Sequence, residues 1–188
     1  MSPIVKHEYN DFRGISQVPY KIISHLFGNE DIWRLIKYST NDALSQPALT
    51  PAQKAALVWK GEDRQEDYRV YLTPMQENIQ DTQSVLLRIY LVEVKPVNHI
   101  RSLLTYGVEV LCQTKLGMLE DGVPRLDLLW ELIIGELAQT DVDGIGELFF
   151  DASQNSRCRL TFNAENGKNY MGYGSMLSVH YSSVTKQT

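Results

Sequence analysis

Apolar positions recur at helical spacing through the first sixty residues and at strand spacing over most of the remainder, with one further helical interval between. Ile22, Ile23, Leu26 and Phe27 share one helical face, which predicts a short helix over 18–27, with Pro19 tolerated in its first turn and Gly28 ending it. Asn29 then caps a second helix. Glu30 and Asp31 sit in its first turn, where carboxylates suit the dipole, and Ile32, Trp33, Leu35 and Ile36 form its packing face. Ser, Asn and Gln with Pro47 make Ser39 to Thr50 a loop with one turn at Asp42-Ala43-Leu44. Thr50-Pro51-Ala52-Gln53 is a capping box with proline at the first helical position. It opens a third helix, expected to reach about Lys60 and stop at Gly61.

Beyond a charged connector the pattern changes. Val70 to Leu72 reads as a short strand. Val85 to Val92 is apolar on both faces, as in a central strand, whereas Tyr106 to Cys112 carries Val108, Val110 and Cys112 against Glu109 and reads as half-exposed. Lys95 to Thr105, with Pro96, Asn98, His99 and Arg101, reads as a loop too long for a tight hairpin and able to reach a neighbour. Arg125 to Leu137 is the clearest helix, its Leu126, Leu129, Trp130, Ile133 and Leu137 opposing Asp127, Glu131 and Glu136. A turn is expected at Asp141-Val142-Asp143-Gly144. Strands follow at Glu147 to Phe150, at Arg157 to Phe162 and through Tyr173, Leu177, Val179 and Tyr181, the last two joined by a hairpin at Asn166-Gly167. The expected fold is α+β, with short N-terminal helices followed by a mostly antiparallel sheet packed against one long helix. Residues 1–70 form the helical region and 71–184 the sheet-plus-helix body, in one folded unit, with 185–188 as a tail.

Composition adds limits. Apolar residues at 43% and charged residues at 22% supply an ordinary core. The net charge of -5, with no basic run, argues against nucleic acid as a sequence-specific partner. Met1 to Asn10 lacks the apolar core of an export signal, and Arg88 and Glu93 break the longest apolar run, so no membrane partner is expected. Cys112 and Cys158 each fall in a strand and read as buried thiols, with a disulfide between them left open.

Candidate chemistry is sparse. Asp141, Asp143 and Glu147 resemble the start of a calcium loop without its later ligands. His7, His25, His99 and His180 show no ligand spacing, and Cys112 has no basic partner at hand. Gly172-Tyr173-Gly174-Ser175 lies in strand alternation, where close backbone approach is a better account than a phosphate cradle. No catalytic residue, metal or cofactor is expected. Trp33, Trp59 and Trp130 occupy helical positions, and an exposed Trp59 would serve as an interface anchor. With His99 and Arg101 it makes up the candidate assembly interface. The alternative is a small cytosolic ligand- or peptide-binding domain with Tyr106, Tyr170, Tyr173 and Tyr181 as its pocket.

Tyr20-Lys21-Ile22-Ile23, Asn29 to Tyr38, Asp42-Ala43-Leu44 and Leu49-Thr50 resemble the helical start of bacteriophage neck and tail-completion proteins. The later layout is similar to tail-terminator and head–tail joining proteins: two strands, a helix opened by Arg125-Leu126-Asp127, then Gly146 to Phe150 and a closing hairpin. The resemblance implies a virion protein made in the host cytoplasm, not an enzyme. It implies a ring homo-oligomer, often a hexamer, that ends the tail tube or joins it to the head connector. Its neighbours would be neck, connector, tube or sheath proteins. If the ring encloses a DNA path, the acidic stretch Glu62 to Asp67 is a candidate for its lumen.

Overall fold

The computed structural model describes residues 14–61, 68–74, 84–97, 101–142, 144–150, 158–163 and 169–182, with the backbone alone described at 150, 158–163, 169 and 182. Four helices occupy Val18–Leu26 (α1), Glu30–Lys37 (α2), Pro51–Ala56 (α3) and Arg125–Leu137 (α4). Seven strands follow one sheet: Val70–Tyr71 (β1), Val85–Pro96 (β2), Arg101–Gln113 (β3), Thr140–Val142 (β4), Gly146–Phe150 (β5), Cys158–Asn163 (β6) and Asn169–Ser182 (β7). Their order is β1-β2-β3-β7-β5-β4, with β6 also paired to β7. Among the described strands, β1 and β2 alone pair in parallel. The fold is α+β, as the hydrophobic pattern predicts. Its longest described helix, α4, has 13 residues and is only about 20 Å long, so "long" holds relative to its neighbours.

Helix starts follow local chemistry. The Asn29 side chain accepts from the backbone N–H of Asp31 and Ile32 at 3.2 and 3.4 Å. Its amide also donates to Glu136 at 2.8 Å and so ties α2 to α4. At α3, Gln53 N–H donates to the Thr50 hydroxyl (3.3 Å), and Thr50 N–H donates to the Gln53 side chain (2.8 Å). The third helix nevertheless ends at Ala56, not near Lys60. Val58 bridges to Val70, Arg69 and Val70 donate to the Leu57 carbonyl, and Trp59 N–H donates to Val70 O at 2.9 Å. Pairing with β1 outcompetes another helical turn, so Trp59 leaves the helix.

Three more expectations are corrected. Most of Lys95 to Thr105 is strand, because Glu93 to Pro96 pair with Ser102 to Thr105 in a β2–β3 ribbon. Of the residues that suggested a loop, Pro96 and Arg101 are exposed on that ribbon. The β3 strand is also not half-exposed: β2 and β7 flank it along its length, and Thr105, Leu111 and Gln113 are buried as well as Val108 and Val110. Asp141 and Val142 belong to β4, so the turn is confined to the residues after them. The expected hairpin at Asn166-Gly167 and the stretch 62–67 lie outside the described residues.

One continuous apolar core joins α1, α2 and α4 to a single sheet face, with Ile22, Trp33, Ile36, Leu129 and Ile133 against Leu87, Val108, Val110 and Leu177. The opposite face carries a smaller cluster of Tyr71, Leu86, Leu111 and Tyr170. Close strand contact there depends on glycine. A Cβ on Gly172 would strike the Val110 carbonyl, and one on Gly107 would stand 2.8 Å from the Tyr90 ring.

Two buried cations fasten helix ends. Lys54 donates to Phe27 O at 2.7 Å, just past α1, and pairs with Glu30 at the start of α2. The Arg125 guanidinium is wholly buried and pairs with no carboxylate among the described residues. It donates to the carbonyls of Leu116 (3.0 Å), Leu35 (3.0 Å), Tyr38 (2.8 Å) and Thr40, closing the C-terminal end of α2. Arg125→Met should leave four carbonyls without donors and cost about 3 kcal/mol or more. The expected readout is a lower urea midpoint at unchanged slope. An unaltered midpoint would refute the role.

Candidate assembly surface

The two described members of the predicted interface are not brought together. Trp59 is half-buried against Tyr71, with ring centroids 6.1 Å apart, in the cluster on the sheet's second face. Arg101 is exposed at the start of β3, where its carbonyl accepts from Val97 N–H at 2.9 Å. Val70 pairs with Leu87, and Leu87 with Val110, so about 30 Å of β3 separates the Trp59 level from Arg101. His99 lies outside the described residues.

What the structure adds is an arm. β1 covers only Leu87 and Arg88 on the outer edge of β2, and from Ile89 to Pro96 no described strand pairs with that edge. Leu91 and Val92 are exposed there, at a register shift between Leu91 and Glu93, and Val97 beyond them is 55% exposed. An unpaired edge with exposed apolar side chains is a template for contact with another chain. The sequence signal was present in Leu91, Val92 and Val97, but a loop reading of 95–105 concealed that they stand on, or just past the end of, one paired ribbon.

A polar network secures the arm's base. The Tyr90 hydroxyl donates to Glu109 at 2.6 Å, and Arg88 lies 3.4 Å from the other Glu109 oxygen. Burial, followed by the Glu109 carboxylate, pushes the Tyr90 phenol up to about 12. Farther along, the buried Thr105 and Ser178 hydroxyls pair across strands at 3.0 Å.

The four tyrosines of the alternative reading do not converge. Tyr106 is buried in the main core, where its hydroxyl has no hydrogen-bond partner among the described residues and burial raises its pKa. Tyr170 belongs to the opposite face. Tyr181 packs at the edge of the main core. Tyr173 lines a groove, with Trp130, Asp127, Glu131, Ile134 and Gly174, of about 430 Å³. Its hydroxyl donates to Asp127 at 2.8 Å.

Reactive groups are equally dispersed. His25 is on α1, and His180 stacks on Phe149 at 5.5 Å. His7 and Asp143 lie outside the described residues, among which no group of three metal-binding side chains occurs. Cys112 is a free buried thiol that burial pushes up to about 11, with the Arg125 charge opposing the shift. No described helix is long and apolar enough to cross a membrane.

Cys112 should therefore resist thiol reagents in the folded protein. With Cys158→Ser as background, labelling should be slow until denaturant is added. Because the folded thiol holds its proton to about 11 against 9.0 for the ordinary group, stability should fall as pH rises through that window. Rapid native labelling would contradict the burial.

The family model described as YomW matches residues 29–179, from the α2 cap into β7. The match points to a phage-derived protein. No curated protein matches the chain.

Proposed function

The chain belongs to the YomW family, and from that premise we propose that it is a structural protein of the phage virion, not an enzyme. In this reading it sits in the neck or tail as a ring, which the resemblance to neck proteins implies is a hexamer. The ring ends the tail tube or joins it to the head connector. The observation that carries the reading is the arm: a ribbon anchored in a buried sheet that presents Leu91, Val92 and Val97 to solvent beside an unpaired edge. Such a surface gains by burial against another chain. Among the described residues, His25 on α1, His180 on β7 and the proton-holding thiol of Cys112 offer no assembled nucleophile and base.

Ring formation needs a heterologous contact, in which one patch of each copy meets a different patch of the next. A sheet with an arm at one end and other surfaces at its far end suits that arrangement. The acidic-lumen idea for 62–67 concerns residues outside those described. It remains part of the proposal through sequence alone.

Light scattering and negative-stain imaging of the purified protein test the reading. The expected outcome is a discrete ring-sized species that grows with concentration, and a shift to monomer when Val92 and Val97 are both changed to Asp. A monomer at every concentration would overturn the ring and favour the ligand-binding alternative.

A further inference from the structure

The side chains along the exposed part of β2 follow a pattern that reads the same in both directions. Leu91, Val92, Glu93, Lys95, Pro96 and Val97 are exposed, and Val94 is half-buried. Apolar residues stand at both ends, opposite charges flank the middle, and Val94 is the centre. Two copies of this stretch laid antiparallel about Val94 set Leu91 against Val97, Val92 against Pro96 and Glu93 against Lys95, each pair occurring twice. Residues directly opposite in an antiparallel pair share a face, so apolar meets apolar and carboxylate meets ammonium.

The backbone is presented for such a pairing. Val97 N–H donates to Arg101 O at 2.9 Å, inward to β3. Antiparallel hydrogen bonds alternate along a strand, so Lys95 bonds inward like Val97, whereas Val94 and Pro96 turn their backbone groups to the outer edge. Two copies can exchange both Val94 bonds there. The outward position of Pro96 also means that its missing N–H costs the β2–β3 ladder nothing.

The same stretch carries features that discourage indiscriminate pairing at a sheet edge, namely a bulge, a lysine and a proline. They are the register shift between Leu91 and Glu93, Lys95 and Pro96. A second copy in this register accommodates them, because Lys95 meets Glu93 and Pro96 meets Val92. A strand without a matching carboxylate is disfavoured. Glu93 already interacts within its own chain, and the pairing leaves that interaction in place, since a carboxylate accepts at more than one site.

We propose that two copies of this chain pair arm to arm through the outer edges of β2, antiparallel and centred on Val94. The contact is isologous, so it does not close a ring by itself. It goes beyond the ring reading and joins copies by a different symmetry.

Sedimentation of the full chain at several concentrations tests the pairing, using Lys95→Glu, Glu93→Lys and an equimolar mixture of the two variants. Both positions are exposed, and circular dichroism checks the fold. Alone, each variant opposes like charges twice across the axis and should associate about tenfold more weakly than the wild type. In the mixture each carboxylate again faces an ammonium, so association should return to near the wild-type level as heterodimers. A heterologous contact of the arm with another surface gives no such recovery. Wild-type association unaffected by the single changes, a mixture no stronger than its components, or a wild type that is monomeric throughout would each overturn the pairing. Should either variant fold poorly, Val94→Cys on a Cys158→Ser background replaces it. A short bis-maleimide should then capture a dimer joined at that position, and recovery of monomer alone would overturn the pairing.

Discussion

A guanidinium without a counter-ion, sealed from water, must be satisfied by dipoles, and much of this architecture is arranged around that requirement. Arg125 gathers carbonyls from α2, from the segment after it and from the 3-10 turn Thr114–Leu116 that follows β3. Those segments are far apart in sequence, so the contacts form together or leave a buried charge exposed to a large desolvation cost. The same residue opens α4, so the helix that covers the sheet is set in position by the end of another helix. Lys54 repeats the device on a smaller scale at the α1–α2 joint.

The sheet has a corresponding organising element in β3 and β7. Their thirteen paired positions run from Arg101↔Ser182 to Gln113↔Tyr170. Beyond the buried region that pairing continues into the arm, which is why 101–106 is strand and not a free loop. The other edge of β7 is divided, with β6 along its first half and β5 along its second. Gly172 and Gly107 admit the close contacts at which larger residues would force the strands apart.

Much of this was legible locally. The α1 and α2 faces, the Thr50 capping box and the bounds of α4 follow from caps and 3.6-residue spacing, which report on interactions a few residues apart. The end of α3 was not, because Val70 supplies the competing partner from twelve positions past Val58. The ribbon was missed because Pro96, Asn98, His99 and Arg101 look like loop residues until the pairing of β2 with β3 is known. Arg125 gave one oblique signal: a cation in the first turn of a helix opposes the dipole and needs a distant reason to be there. Of the predicted interface, Arg101 was found at the arm, while Trp59 proved to be packing for the second sheet face.

The long pairing of β3 with β7 also sets a schedule for the nascent chain. When residues 101–113 leave the ribosome, the strand that will cover their inner edge has yet to be synthesised, and it follows some sixty residues later. At about 5–20 residues per second, that edge waits roughly 3–12 seconds for its partner. During that interval Val108, Val110 and Leu111, all buried in the finished fold, lack the strand that will pair beside them. The hazard of misassociation therefore belongs to translation, before an ordered surface exists for another subunit to meet.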